Sequence, residues 1–192
     1  MKKSYLRKIY RYDAIKKAFI IDIDLAFYQE LFNDWDASPF RKKDLDPELV
    51  EFLESSSDQI PKKNNVIIYF SLPQDQKNRQ IEKRVLEGFR NYYKSTLYFI
   101  KKELDYSLRK ILLFVILGFS FILFAYLSQN QLNLNLGFDV LIEGVFIGGW
   151  VLLWEAFSLF FFSMHELRKK KKMYIRFLKS EVVFNYHVME KN

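Results

Sequence analysis

One carboxylate falls in a stretch where apolar residues are otherwise nearly unbroken. Glu155 lies in the run Val140–Met164, which holds two acids and no basic residue and is long enough to cross a bilayer. A carboxyl group at such a depth is costly and by default functional, because hydrocarbon offers it no water. It can belong to a proton or ion pathway, or it can be protonated or hydrogen-bonded and fix helix packing. Ser120, on the neighbouring apolar run, is a candidate hydrogen-bond partner for the second role.

Two glycines share a helical stripe with Glu155. Gly144 and Gly148 are four residues apart, and Glu155 follows Gly144 by eleven residues, which is close to three full helical turns. Small residues at this spacing let helix backbones approach closely in a membrane. We therefore expect this stripe to form a helix interface, either with the first apolar run or with a second copy of the chain. Trp150 and Trp154 are expected to pack between helices.

Paired aspartates offer a second kind of chemistry. Three Asp-x-Asp pairs recur along the chain: Asp22/Asp24, Asp34/Asp36 and Asp44/Asp46. Carboxylates spaced in this way on a strand point to one face and can hold Mg²⁺ or Ca²⁺. Asp22, Asp24, Asp44 and Asp46 are thus the candidate ligands of a metal-dependent enzyme. Competing roles are a helix cap for Asp46, which precedes Pro47, and a turn for the middle pair.

Other catalytic machinery is missing from the sequence. Cysteine is absent, which excludes a thiol nucleophile, a disulfide framework and a cysteine-based zinc site. Gly88 is the single glycine outside the apolar hairpin and its borders, which excludes a glycine-rich phosphate loop. The two histidines, His165 and His187, form no recognisable catalytic pattern. We expect no enzymatic activity and no cofactor.

Two apolar runs predict a transmembrane hairpin. Ile111–Leu127 carries no charge, and Val140–Met164 follows a short polar connection without Lys or Arg. Basic residues stand at the other ends of both runs: Arg109 and Lys110 before the first, and Arg168, Lys169, Lys170, Lys171 and Lys172 after the second. The positive-inside rule then places both termini of a multi-pass membrane protein in the cytoplasm. The five-residue basic run either sets this topology or also binds anionic lipid headgroups.

Charge is distributed unevenly around a net value of +7. Residues 1–17 hold seven Lys/Arg against one Asp, and residues 165–192 hold eight against three Glu, so the middle of the chain is acidic. A nucleic-acid binder usually spreads its cations over a folded surface. The expected partners are therefore the lipid bilayer and a second copy or another membrane protein, with no nucleic acid.

The remaining pattern predicts a small α/β or α+β cytosolic domain. Strands are predicted at Phe19–Leu25, Val66–Leu72 and Glu181–His187, with the nearly all-apolar middle one inside the sheet. Helices are predicted over 1–17, 26–33, Pro47–Ser55 and from Gln74 into the first apolar run without a break. The hairpin is thereby inserted before the last strand. The domain boundaries are 1–110 for the α/β domain, 111–164 for the hairpin and 165–192 for a basic helix and final strand that rejoin the domain.

Two stretches resemble a group of uncharacterised short bacterial two-span membrane proteins. They are FNDWDASPFRKKDLDPELVEFLESSSDQIP in the predicted domain and EGVFIGGWVLLWEAF in the second run. The resemblance covers the chain from about Phe19 to Tyr186. It implies a two-span protein with a cytosolic domain and adds no activity or cofactor.

The sequence therefore predicts a non-enzymatic membrane protein that self-associates through its hairpin. Its cytosolic domain would sense a signal or bind a partner, and in a sharper form it would gate a small channel-like effector. Two alternatives remain open at this point. One is a membrane-anchored metal enzyme that uses the aspartate pairs, and the other is an adaptor subunit that docks through the aromatic turn around Trp35.

Overall fold

The computed structural model describes residues 2–131 and 136–187, with side chains over 5–128 and 137–187. The chain divides into two compact units. The first, here called the sheet unit, comprises the described residues of Met1–Tyr98 and Lys172–Asn192. The second, the helix-pair unit, comprises those of Phe99–Lys171.

A four-stranded mixed sheet forms the framework of the sheet unit. Its strands lie in the order β1 (Tyr12–Asp13), β2 (Ala18–Asp24), β3 (Asn65–Pro73) and β4 (Glu181–His187). The short β1 runs antiparallel to β2, while β2, β3 and β4 are parallel to one another. The interior position of β3 confirms the prediction made from its nearly unbroken apolar run.

Residue alternation explains the two faces of the sheet. Ala18, Ile20 and Ile67 form a small buried cluster on one face. On the other face Phe70 contacts Phe89 and Phe184 edge-on or tilted, with ring centroids 6.1 and 5.8 Å apart. Successive side chains of a strand point to opposite faces of the sheet. The parallel register pairs Ile20 with Ile67 and Ile21 with Ile68, so each face carries apolar side chains from both β2 and β3.

Helices α1 (Lys2–Ile9) and α2 (Pro47–Gln59) belong to the sheet unit. Asp46 caps α2, because its Oδ1 accepts hydrogen bonds from the amides of Glu48 at 2.9 Å and Leu49 at 3.1 Å, and Pro47 presets the first helical angle. The prediction of an α-helix over 26–33 is wrong. Only a 3₁₀ turn forms there, Tyr28–Leu31, and Glu30 ties it down by accepting the amide of Ala26.

Parts of two long helices contribute buried side chains to the core of the sheet unit. The first part of α3 (Arg79–Gln131) buries Val85, Phe89 and Tyr93, and α5 (Met164–Lys179) buries Tyr174 and Phe177. Tyr93 has ring contacts with both α5 aromatics, at 5.4 and 5.2 Å between centroids. This aromatic cluster joins residues distant in sequence into one core, because each of the long helices presents an aromatic side at helical spacing.

The helix-pair unit holds the rest of α3, α4 (Leu136–Ser158) and the start of α5. A π-helical turn, Leu159–Ser163, separates α4 from α5, a feature that the uninterrupted apolar run Val140–Met164 did not predict. Two helical segments, Arg79–Ser128 and Gly137–Lys179, are long and apolar enough to cross a membrane.

Candidate functional site

The two helices of the helix-pair unit approach each other closely at a pair of glycines. A Cβ placed on Gly149 would lie 2.7 Å from Ile122 Cγ1 and 2.9 Å from the carbonyl oxygen of Gly118. A Cβ on Gly118 would lie 2.9 Å from the carbonyl oxygen of Gly149. Real side chains essentially never come so near, so both positions admit glycine alone without movement of the backbone. This is the small-residue packing by which helices associate in a bilayer.

The predicted stripe of Gly144, Gly148 and Glu155 lies on a different side of α4. A Cβ on Gly144 would meet no atom within 4 Å, and one on Gly148 would meet only Phe121, at 3.8 Å. Glu155 is exposed, and at 3.6 residues per turn it is displaced by about 120° around the helix from Gly149. Within the chain, the glycine of α4 that contacts α3 is thus Gly149 and not the predicted Gly148. The stripe that contains Glu155 faces away from α3.

Ser120 and Glu155 do not pair. The Ser120 hydroxyl donates to the carbonyl oxygen of Ile116 at 2.8 Å, one turn earlier in its own helix. Trp150 and Trp154 are 57% and 72% exposed, so the prediction that they pack between helices is wrong within one chain. Helical spacing shows which residues share a stripe of α4. It does not show which stripe contacts α3, because that depends on the position of Gly118 on α3.

The basic run after the second apolar segment lies on α5. The Arg168 guanidinium stands over the Phe160 ring at 5.8 Å, and Lys170 lies 4.0 Å from Glu166, one turn away. Lys172 is exposed, and Lys169 and Lys171 are partly buried. Arg168, Lys170 and Lys172 are exposed, so their charge lies at the surface, as contact with a lipid headgroup requires.

The aspartate pairs are dispersed among structural roles. Asp22 forms a two-pronged ion pair with Arg11, whose Nε donates to Oδ2 at 2.9 Å. Asp46 caps α2, and the Asp44 amide donates to Asp36 Oδ2 at 2.8 Å. Asp44 also lines an acidic cleft with Glu51 and Glu54. Among the residues that the structure describes, no group of three or more acidic or histidine side chains is placed to hold a metal ion.

A second cleft in the sheet unit concentrates positive charge, and sequence patterns did not indicate it. It has a volume of about 360 Å³ and opens at the edge where the parallel strands begin. Its cations come from the β1–β2 turn, from the segment before β3 and from the end of α5: Lys16, Lys62, Arg176 and Lys179. We call it the basic cleft. The lysines are far apart in the chain, and the side-by-side start of β2, β3 and β4 brings them together.

Arg176 builds one wall of the basic cleft. Its Nη1 donates to the carbonyl oxygen and hydroxyl of Ser57, both at 3.1 Å, and its Nη2 donates to the carbonyl oxygen of Asn64 at 2.7 Å. These acceptors lie at and beyond the carboxyl end of α2, where carbonyl groups lack helical partners and a cation is favourable. All of them are neutral, and burial lowers the pKa of Arg176. No carboxylate therefore neutralises the positive charge of this wall.

The β1–β2 turn places Lys16 at the mouth of the cleft. Asp13 Oδ1 accepts the amides of Ile15 and Lys16 at 2.8 and 2.9 Å, and Lys17 takes the left-handed conformation with φ of 51°. This tight turn projects the Lys16 ammonium toward Glu181 at the start of β4, with Nζ and Oε2 2.6 Å apart. An Asp at the first position of a turn was the available sequence signal, but it gave no indication of the partner on β4.

Comparison with protein-family models, with curated proteins and with solved structures finds no match. The resemblance to short bacterial two-span membrane proteins stays a prediction.

Proposed function

We propose that this chain is an integral membrane protein that crosses the bilayer twice, through the second half of α3 and through α4, and that it self-associates. The observation that carries the proposal is the surface of the helix-pair unit. Only 17% and 11% of the most apolar windows of its two long helical segments are buried in the chain. A folded protein in water seldom exposes an apolar surface that continuous.

The exposed side chains are large and occur around both helices. More than half of the surface of each of these residues is accessible: Leu112, Leu113, Ile116, Phe119, Leu123, Phe124, Val140, Leu141, Ile147, Trp150, Val151, Trp154, Phe157 and Phe162. Lipid tails would cover such a surface, and helical hydrogen bonding would satisfy the backbone within the hydrocarbon. The 23 residues of α4 rise about 35 Å, which fits a hydrocarbon core of about 30 Å with a modest tilt.

Charge at the ends of the two spans supports one orientation. Arg109 and Lys110 precede the first span, five basic residues from Arg168 follow the second, and the connection between the spans has no Lys or Arg. Under the positive-inside rule both termini, and with them the sheet unit, would be cytoplasmic in a bacterial inner membrane. The sheet unit would then act as the sensing or partner-binding module of the protein.

The outward stripe of α4 supports self-association. Glu155 is exposed and lies three residues before the end of α4, and Gly144 on the same stripe has open space around its Cα. A carboxyl group facing lipid is unfavourable, whereas a second copy would cover it and would use the space at Gly144 for close backbone approach. Through this contact Glu155 would line a helix interface or an ion pathway between copies.

Membrane topology is tested with single cysteines, which are clean reporters because the native chain has none. Ser128→Cys near the connection and Lys63→Cys in the sheet unit are each expressed in bacteria and treated with a membrane-impermeant maleimide. We expect Ser128→Cys to react on intact cells and Lys63→Cys to react only after permeabilisation. Labelling of Lys63→Cys on intact cells, or release of the protein from membranes by alkaline carbonate, would contradict the proposal.

Self-association is tested by native mass spectrometry of the protein released from detergent. The wild type is expected to be a defined oligomer, Gly144→Leu to shift it toward monomer, and Glu155→Gln to retain assembly. Gly137→Leu is the matched control, because Gly137 on the same helix also has open space but lies near its amino end. A monomeric wild type would refute self-association. A change of ion flux in liposomes with Glu155→Gln would identify the pathway role, and unchanged flux would leave Glu155 a packing role.

A further inference from the structure

The basic cleft is a separate feature from the membrane spans, because all of its residues belong to the sheet unit. Open α/β sheets usually bind ligands at the carboxyl ends of their strands, and this cleft lies at the opposite edge. The features of this cleft that favour a ligand are therefore its charge and the residues that line it. Ala18 and Ile67 are buried apolar residues of its lining, and Asn64, Asn65 and Ser180 add polar groups.

Positive charge exceeds negative charge in the cleft. Four basic side chains line it against one acidic side chain, Glu181, which is already paired with Lys16. In the described part of the chain no ion pair engages Lys62, Lys179 or Arg176. Three basic residues without a carboxylate partner thus line one concave surface, which favours the approach of an anion.

Two lining residues also carry polar atoms with unused hydrogen-bonding capacity. Asn64 is nine-tenths buried, and its Oδ1 has no partner; the Nε of Arg176 is likewise buried without an acceptor. Buried polar atoms are almost always paired in native proteins. The Arg176 Nε–H is a donor and suits an acceptor-rich ligand, whereas the Asn64 Oδ1 is an acceptor and does not itself favour an anion.

We propose that the basic cleft binds a phosphate group carried by a small molecule. Phosphate offers several strong acceptor oxygens and up to two negative charges, which lysine ammonium groups bind as point charges. The volume of about 360 Å³ falls in the range of small-molecule sites, so a short organic portion fits beside the phosphate against Ala18 and Ile67. Side chains supply the donors here, since the cleft contains no glycine loop. The phosphate has two chemical sources, an anionic phospholipid headgroup or a soluble phosphorylated compound.

The first experiment uses inorganic pyrophosphate as the probe. It is titrated by calorimetry into the full-length protein held in nanodiscs of pure phosphatidylcholine, which carry no net lipid charge. We expect saturable binding that weakens as salt is raised, because the contacts are largely electrostatic. The double variant Lys62→Ala/Lys179→Ala should bind about tenfold more weakly, since it removes two of the three uncompensated charges.

Lys63→Ala is the matched control, because Lys63 is exposed and adjacent in sequence but does not line the cleft. It should bind pyrophosphate as the wild type does. An equal loss in Lys63→Ala and in the double variant would show attraction to net charge alone and would overturn the proposal. Arg176 is left unchanged, since its hydrogen bonds also hold the backbone after α2.

A second arm separates the two sources of phosphate. The titration is repeated in nanodiscs that contain phosphatidylglycerol. If the headgroup reaches the cleft, pyrophosphate should bind more weakly in these discs for the wild type, and the lysine double variant should retain less phosphatidylglycerol on release. If the natural ligand is soluble, pyrophosphate affinity should be unchanged between the discs. Absence of pyrophosphate binding in both discs, with equal lipid retention by both proteins, would refute a phosphate site.

Discussion

Replacement of Gly149 by alanine should weaken the helix pair, and replacement of Gly144 should not. The added Cβ at Gly149 would lie 2.7 Å from Ile122 Cγ1, 2.9 Å from the Gly118 carbonyl oxygen and 3.2 Å from the Ile122 amide nitrogen. Two of these three atoms belong to the backbone of α3 and cannot rotate away. At Gly144 the same atom would enter open space.

The magnitude follows from how far the helices must separate. Carbon atoms in contact normally lie about 3.5 to 4.0 Å apart, so α3 and α4 would have to part by about 1 Å at this point. Overpacking of this size costs about 1 to 3 kcal/mol. Alanine also improves helix propensity by about 1 kcal/mol, but the gain is similar at both positions and cancels when the two variants are compared. Gly149→Ala should thus be less stable than Gly144→Ala by about 1 to 3 kcal/mol.

The assay is unfolding by sodium dodecyl sulfate in mixed micelles, followed by tryptophan fluorescence. Of the three tryptophans, Trp150 and Trp154 lie on α4, and Trp35 lies in the sheet unit with 96% of its surface exposed. Measurement in a Trp35→Phe background therefore restricts the signal to the helix pair at little cost in stability. Gly118→Ala serves as a second test of the same contact, because its Cβ would meet the Gly149 carbonyl oxygen at 2.9 Å.

Two results would refute this reasoning. Equal midpoints for Gly149→Ala and Gly144→Ala would mean that the glycine pair does not set the distance between α3 and α4. A lower midpoint for Gly144→Ala, with its oligomer intact, would mean that the outward stripe is the main contact within one chain. Native mass spectrometry of both variants measures the oligomeric state, so that a loss of self-association is distinguished from a loss of pairing between α3 and α4.

Three further predictions concern the sheet unit, and circular dichroism melts of the full-length protein check each of them. Gly88→Ala should destabilise the unit by about 3 kcal/mol, because its Cβ would lie 2.1 Å from the carbonyl oxygen of Phe40; a wild-type melt would contradict that close approach. Asp46→Ala should cost about 1 kcal/mol and Asp46→Asn much less, since asparagine also caps helices, and equal losses would argue against the capping role. Hydrogen bonds from the Ser38 side chain, from the Asp44 amide and from the Ser38 amide hold the pKa of Asp36 below its ordinary value. Its stabilisation is therefore complete above the unfolded pKa and is lost as pH falls through the lower folded pKa. Asp36→Asn should thus flatten the fall in melting temperature below about pH 4, and an unchanged fall would exclude this contribution.

The sequence by itself determined the elements whose signal is local. The last strand begins and ends at Glu181 and His187 as predicted from the sequence, and the Asp46–Pro47 pair marked the start of α2. The two apolar segments follow from composition alone, because a stretch of this length with few or no charged residues is recognised without tertiary information. The segment 26–33 does not form the predicted α-helix, because Glu30 and the backbone bridge between Phe32 and Leu45 favour a tighter turn.

Only the tertiary structure decided which faces meet. Helical periodicity places Gly144, Gly148 and Glu155 on one stripe, but it does not say which stripe of α4 opposes α3. That choice depends on Gly118, 31 positions from Gly149, and on the mutual fit of two backbones. The basic cleft has the same origin. Arg176 meets Ser57 across 119 residues of chain because parallel pairing of β3 with β4 aligns the starts of both strands, and no local pattern encodes a register between segments so far apart.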